Sequence, residues 1–127
     1  MEYVALVSAL AIVELVVFTG LTGAARARTG LEAPATTGHP EFERYFRVQQ
    51  NTIEQLMVFL PGIWLFAHFV SPFYAAAIGC VFLIARPLYC MSYVKEPNRR
   101  VPFFVVGFLA NVALLLGGIF GAAKAAL

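Results

Sequence analysis

The sequence predicts an all-α integral membrane protein, a bundle of four transmembrane helices that forms a single domain over residues 1–127. Three observations predict it. Of the 127 residues, 61% are hydrophobic and only 13% are charged, whereas a soluble domain of this size needs a charged surface. Four apolar segments each approach the roughly 20 residues that a membrane-spanning helix requires. The basic residues, finally, gather beside two of the three connections.

The four apolar segments are continuous runs, which distinguishes them from the short alternating strands of a membrane barrel. Glu14 interrupts the first segment, and no positive charge precedes it, so we expect a retained helix rather than a signal peptide. Prolines inside the second and third segments are tolerated where neighbouring groups satisfy the freed carbonyls. The predicted segments are Tyr3 to Ala25, Ile53 to Val70, Phe73 to Tyr93 and Val101 to Ala123.

The second helix is predicted to begin well before its apolar part. Pro40 suits the first turn of a helix, and Glu41 and Glu43 complement its positive end. A helix from Pro40 to Val70 would be about 45 Å long, more than the hydrocarbon core. Its polar first half therefore projects from the membrane or lines a cavity, after a long first connection from Arg26 to Pro40.

The distribution of Lys and Arg predicts the orientation in the membrane. Of the nine basic residues, only Lys124 falls at the opposite face. By the positive-inside rule, the face with the other eight is cytoplasmic and both termini lie outside. Those eight are Arg26, Arg28, Arg44, Arg47, Arg86, Lys95, Arg99 and Arg100.

Composition also argues against several classes of partner and site. The net charge of +2, without a basic run, does not favour a nucleic-acid partner. Cys80 and Cys90 lie ten residues apart on one predicted helix, on different faces, which disfavours an intrachain disulfide. Neither cysteine has metal-ligand spacing, and we predict no metal site.

Two polar stripes lie on the second and third helices, toward the predicted cytoplasmic face. The second helix places a cation, two amides and a carboxylate on one face, and the third helix places a cation and two phenols on one face. Arg100 follows just beyond the break at Pro97. The two stripes are Arg47, Asn51, Glu54 and Gln55, and Arg86, Tyr89 and Tyr93.

Ionisable groups at membrane depth are costly unless they are paired or hydrated, so the stripes predict a site for a small polar anion that also carries an amine. Arginines would hold its carboxylates and Glu54 its ammonium. In the alternative interpretation, Arg47 and Glu54 pair with each other or with the third helix and hold the bundle together. Arg28 and Arg44 could reach lipid headgroups without taking part in any site.

The sequence around these stripes resembles the MAPEG superfamily, the membrane-associated proteins of eicosanoid and glutathione metabolism. It is most similar to the branch of leukotriene C4 synthase and the microsomal glutathione transferases two and three. Two runs carry the resemblance: residues 36–54, TTGHPEFERYFRVQQNTIE, and residues 85–93, ARPLYCMSY, with Arg100 following.

The resemblance implies a homotrimer that holds glutathione between neighbouring subunits near the cytoplasmic face. The short chain favours a bacterial inner membrane. The enzyme would activate the glutathione thiolate toward apolar electrophiles, or toward lipid hydroperoxides, with Arg100 stabilising the thiolate. Arg86 would support the wall formed by the tyrosines. The implied glutathione-binding residues are Arg26, Arg47, Gln49, Asn51, Glu54, Gln55, Arg86, Tyr89 and Tyr93.

Departures from the family pattern narrow the expected reaction. Ala27 stands where leukotriene C4 synthase has a second arginine, which disfavours leukotriene synthesis. Gln55 replaces a tyrosine, and Gln49 stands where prostaglandin E synthases usually have histidine. Two alternatives stay open. One is a non-catalytic glutathione- or lipid-binding member, and the other is a small proton-coupled multidrug exporter that uses Glu14.

Overall fold

The computed structural model describes residues 1–127 and contains four long helices and no strand. All four are long and apolar enough to cross a membrane. This confirms the predicted fold class. The helices are α1 (Glu2–Thr29), α2 (Pro40–Phe69), α3 (Pro72–Lys95) and α4 (Val101–Ala126), and a short 3-10 turn, Pro97–Arg100, precedes α4.

The prediction for α2 is confirmed at both ends, but α1 continues one turn beyond the predicted Ala25. The arginines at positions 26 and 28 belong to its last turn, where cations complement the negative end of the helix dipole. Gly30 then ends the helix in the left-handed conformation (φ 73°), and its N–H donates to the carbonyl of Arg26. The first connection is therefore shorter than predicted and comprises residues 30–39.

The core lies between α2 and the other three helices. The rings of Phe59 on α2 and Phe82 on α3 pack with their centroids 4.2 Å apart, and Leu114 on α4 and Val4 on α1 are fully buried in the same cluster. Near the C-terminal end of α4, Gly118 allows α2 to pack closely against α4, because a Cβ at this position would lie 2.8 Å from the Cβ of Leu65. This packing fixes α2, which carries the first polar stripe, against α3, which carries the second.

Candidate functional site

The two predicted stripes meet in one recess between α2, α3 and the start of α4. Its volume is about 240 Å³, and it is called the site recess below. Five of its seven lining residues were predicted from the sequence as site residues, and Val101 and Phe104 complete the lining. The five are Arg47, Asn51, Tyr89, Tyr93 and Arg100.

Two guanidinium groups make the site recess positive. Arg100 is held by the 3-10 turn, where its Nη1 donates to the carbonyl of Pro97 at 2.6 Å, and its guanidinium lies 5.1 Å from the Tyr93 ring centre. Arg47 is exposed on α2 and lies 3.7 Å from a Glu54 carboxylate oxygen. Since exposed pairs of this kind contribute little, Arg47 remains available to an anion.

Asn51 is the buried polar group of the site recess. Its side chain is only 7% exposed, and its Oδ1 has no hydrogen-bond partner within the chain. Most buried polar atoms in folded proteins are hydrogen-bonded. The free amide oxygen can accept a hydrogen bond from a ligand N–H, and the two arginines can bind anionic groups of the same ligand.

One wall of the site recess is aromatic and contacts a buried cation. The rings of Tyr89 and Tyr93 lie 5.7 Å apart, and Phe104 lies 6.0 Å from Tyr89. The guanidinium of Arg86, which does not line the recess, lies over the Tyr89 ring at 4.4 Å from its centre. Arg86, predicted from the sequence as a glutathione-binding residue, is therefore not among the residues that line the site recess within one chain.

Arg86 is nevertheless only 2% exposed, and its partners were not predicted. Its Nη2 donates to Thr52 Oγ1 at 2.8 Å, and that hydroxyl donates in turn to the carbonyl of Val48 at 2.7 Å. Arg86 makes no ion pair, and on α1 the carboxylate oxygen Oε1 of Glu14 is buried without a hydrogen-bond partner. Thr52 carries no charge and is not on the polar stripe of α2. Its role as the partner of Arg86 is therefore visible only from the packing of α2 on α3.

Gln55 does not line the site recess. Its side-chain Oε1 accepts a hydrogen bond of 3.0 Å from Asn111 Nδ2 on α4, and its carbonyl accepts a second of 3.3 Å. Asn111 is 1% exposed and was not singled out from the sequence. Within one chain Gln55, which was predicted to bind glutathione, therefore joins α2 to α4.

Two further predicted residues lie away from the site recess within one chain. Arg26 donates to the carbonyl of Ala35 at 2.7 Å and lies over the Phe42 ring at 4.3 Å, so that it fastens the first connection to α1. Gln49, half-buried on α2, is not among the lining residues. Glu54 is exposed and lies close to Arg47, at the rim of the site recess.

Residues that usually bind metals are scattered. The chain contains no group of three or more His, Cys, Asp or Glu side chains that could hold a metal ion. Both cysteines are free, Cys80 exposed and Cys90 buried. The polar side chains that line the site recess are cations, phenols and an amide.

Several known proteins are similar to this chain. Residues 4–120 match the model of the MAPEG family. A protein of Synechocystis is 44% identical over 115 residues, which cover 91% of this chain and 84% of the relative. Human microsomal glutathione S-transferase 2 is 36% identical over 95 residues, which cover 73% of this chain and 65% of that enzyme.

Bovine leukotriene C4 synthase is 38% identical over 77 residues, which cover 61% of this chain and 51% of that enzyme. The matched region thus spans just under two thirds of the human transferase and about half of the synthase. The family model nonetheless covers all four helices. The chain belongs to the MAPEG family.

Proposed function

We propose that this protein is a membrane-bound glutathione transferase that activates the glutathione thiol for conjugation to apolar electrophiles. The observation that carries the proposal is the site recess, where two arginines, two tyrosines and the unpartnered Asn51 Oδ1 converge. Similarity to a glutathione S-transferase supports it.

The groups of glutathione correspond to the groups in and around the site recess. Glutathione carries two carboxylates, an ammonium, two amides and a thiol. Arg47 would hold a carboxylate, Glu54 the ammonium, and Asn51 Oδ1 would accept from an amide N–H. The tyrosine hydroxyls would donate to the remaining oxygens, and the thiol would lie near Arg100.

The chemical step needs little beyond an activated nucleophile and proximity. A cation near the sulfur lowers the thiol pKa from its usual value of about 8.5 and increases the thiolate fraction at neutral pH. The sulfur then attacks the electrophilic carbon, a C–S bond forms, and the leaving group departs with the bonding electron pair. The proton of the thiol passes to water. The same thiolate could attack a lipid hydroperoxide, with a second glutathione completing reduction to the alcohol, water and glutathione disulfide.

We further propose that the functional unit is a homotrimer with glutathione between neighbouring subunits. The site recess is open on one side, while Arg26 and Gln49 lie outside it within a single chain. A neighbouring subunit that closed the opening could bring its own Arg26 and Gln49 to the bound glutathione. The apolar outer surface of α1, with exposed residues such as Val13, Val16 and Val17, suits contact with lipid or with a neighbouring helix.

Conjugation of glutathione to a chloronitrobenzene by the purified protein tests the proposed function. We expect chloride release and an aryl–sulfur product that depend on protein concentration. Asn51→Leu should raise the KM for glutathione, by about tenfold, because a hydrogen bond to a buried amide is lost. Isothermal titration with glutathione alone separates binding from turnover. Binding without product formation would favour a non-catalytic member, and the absence of binding would contradict the proposal.

We propose that the site recess faces the cytoplasm, in a bacterial inner membrane. Eight of the nine basic residues lie toward the end of the bundle that contains the site recess, and only Lys124 lies at the other end. Alkaline phosphatase fused after Leu127 should be active, because both termini would be periplasmic. Activity of a C-terminal β-galactosidase fusion instead would reverse this orientation.

A further inference from the structure

A second polar depression lies on another face of α3, at the same end of the bundle as the site recess. Its volume is about 310 Å³, and it is called the basic recess. Two cations and one carboxylate border it, together with a hydroxyl and two apolar side chains. The lining residues are Leu88, Met91, Ser92, Lys95, Glu96 and Arg99.

An apolar groove between α3 and α4 continues from the basic recess toward the middle of the membrane. It also measures about 310 Å³, and every side chain that lines it is hydrophobic. Leu88 lines both depressions, so they meet at this residue. The lining residues of the groove are Val81, Ile84, Ala85, Leu88, Phe103 and Val106.

We propose that the basic recess and the apolar groove together bind one anionic phospholipid of the bilayer. The phosphate would lie against Lys95 and Arg99, and one acyl chain would lie in the groove. Such a site is not needed for the proposed reaction. It is a structural lipid site on the outside of the bundle.

The charges at the basic recess favour an anionic headgroup. Glu96 lies 2.8 Å from Nε of Arg99, which leaves the two terminal nitrogens of Arg99 free to donate. Lys95 has no ion-pair or hydrogen-bond partner, and it is exposed. The three charged groups sum to one positive charge, and basic side chains next to a membrane attract anionic lipids.

The dimensions fit a lipid in one leaflet. From Lys95 to Leu88 the helix rises about 10 Å, and from Leu88 to Val81 about 10 Å more. The apolar part thus stays within one leaflet, which is about 15 Å thick in its hydrocarbon region. Leu88 and Ile84 lie on a different face of α3 from Tyr89 and Tyr93, so a subunit that closed the site recess would leave the groove open to lipid.

Native mass spectrometry of the detergent-purified protein tests the proposal. The probes are dioleoyl phosphatidylglycerol, dioleoyl phosphatidylcholine with the same acyl chains, and glycerol phosphate as a free headgroup. We expect phosphatidylglycerol to bind in preference to phosphatidylcholine, and glycerol phosphate not to displace it. Replacing Lys95 and Arg99 together by Gln should weaken phosphatidylglycerol binding by about fivefold or more and abolish the preference.

Two variants on α4 separate the acyl groove from general lipid contact. Val106→Trp fills the groove and should weaken both lipids, whereas Val105→Trp adds the same bulk on an exposed position outside the groove and should leave binding unchanged. Arg28→Gln removes a positive charge elsewhere on the same membrane face and should preserve the preference. Equal binding of the two lipids by the unaltered protein would overturn the proposal. So would a change of oligomeric mass in Val106→Trp, since the groove would then be a subunit contact.

Discussion

Replacing Arg100 by Ala should lower kcat for glutathione conjugation by about a hundredfold, the usual effect of removing one charged group that stabilises a developing anion. Arg100 lines the site recess, and its hydrogen bond to the Pro97 carbonyl fixes the guanidinium near the Tyr93 ring. Without it, the bound thiol should titrate closer to the free value of about 8.5. Because a higher thiol pKa reduces the thiolate fraction at neutral pH, the pH–rate profile should shift to higher pH.

Thiolate absorbance of the glutathione complex, measured against pH, checks this shift independently of turnover. Arg100→Lys keeps the charge but cannot reproduce the planar guanidinium, and it should recover part of kcat. Arg28→Ala is the matched control, because Arg28 is an exposed arginine outside the site recess that pairs with Glu41. An unchanged thiol titration in Arg100→Ala would show that another group activates the sulfur, even if kcat fell.

The helices could be predicted because the bilayer imposes a simple requirement on composition. Each span needs about 20 apolar residues, and all four such segments are helices in the structure. Apolarity alone ends α1 too early, at Ala25, because Arg26 and Arg28 are charged although they belong to the last turn of the helix. Gly30, which adopts φ 73° and ends the helix, is the signal that locates this boundary.

Candidate site residues that share a helical face could be predicted to lie together, whereas contacts that depend on which helices are neighbours could not. Arg47 and Asn51, four residues apart, both line the site recess. Gln55, on the edge of the same stripe, turns to Asn111 on α4 instead. Asn111 is a single amide in an apolar helix and has no sequence pattern that marks it. Its hydrogen bond to Gln55 is visible only once α2 is packed against α4.

Replacing Arg86 by Met should destabilise the bundle by about 1–3 kcal/mol, the usual cost of leaving a buried polar group without its hydrogen-bond partner. Arg86 is 2% exposed, donates to Thr52 and lies against Tyr89. Glu14 on α1, whose Oε1 is buried without a partner, is the candidate counter-charge of Arg86. Equilibrium unfolding in mixed detergent and dodecyl sulfate micelles measures the free energy, and Arg28→Met is the exposed control.

If Glu14 is the counter-charge of Arg86, then the loss of Arg86 should cost less once Glu14 has been neutralised. We expect Arg86→Met in the background of Glu14→Gln to be milder by about 1–3 kcal/mol than in the unaltered protein. Equal losses in both backgrounds would show that Glu14 does not compensate Arg86. That result would favour the proton-coupled exporter. An exporter requires that liposomes with the unaltered protein take up ethidium in response to a proton gradient, and that liposomes with Glu14→Gln do not. If Glu14 has only a structural role, we expect the opposite results: its loss changes the cost of Arg86→Met, and neither protein supports ethidium uptake.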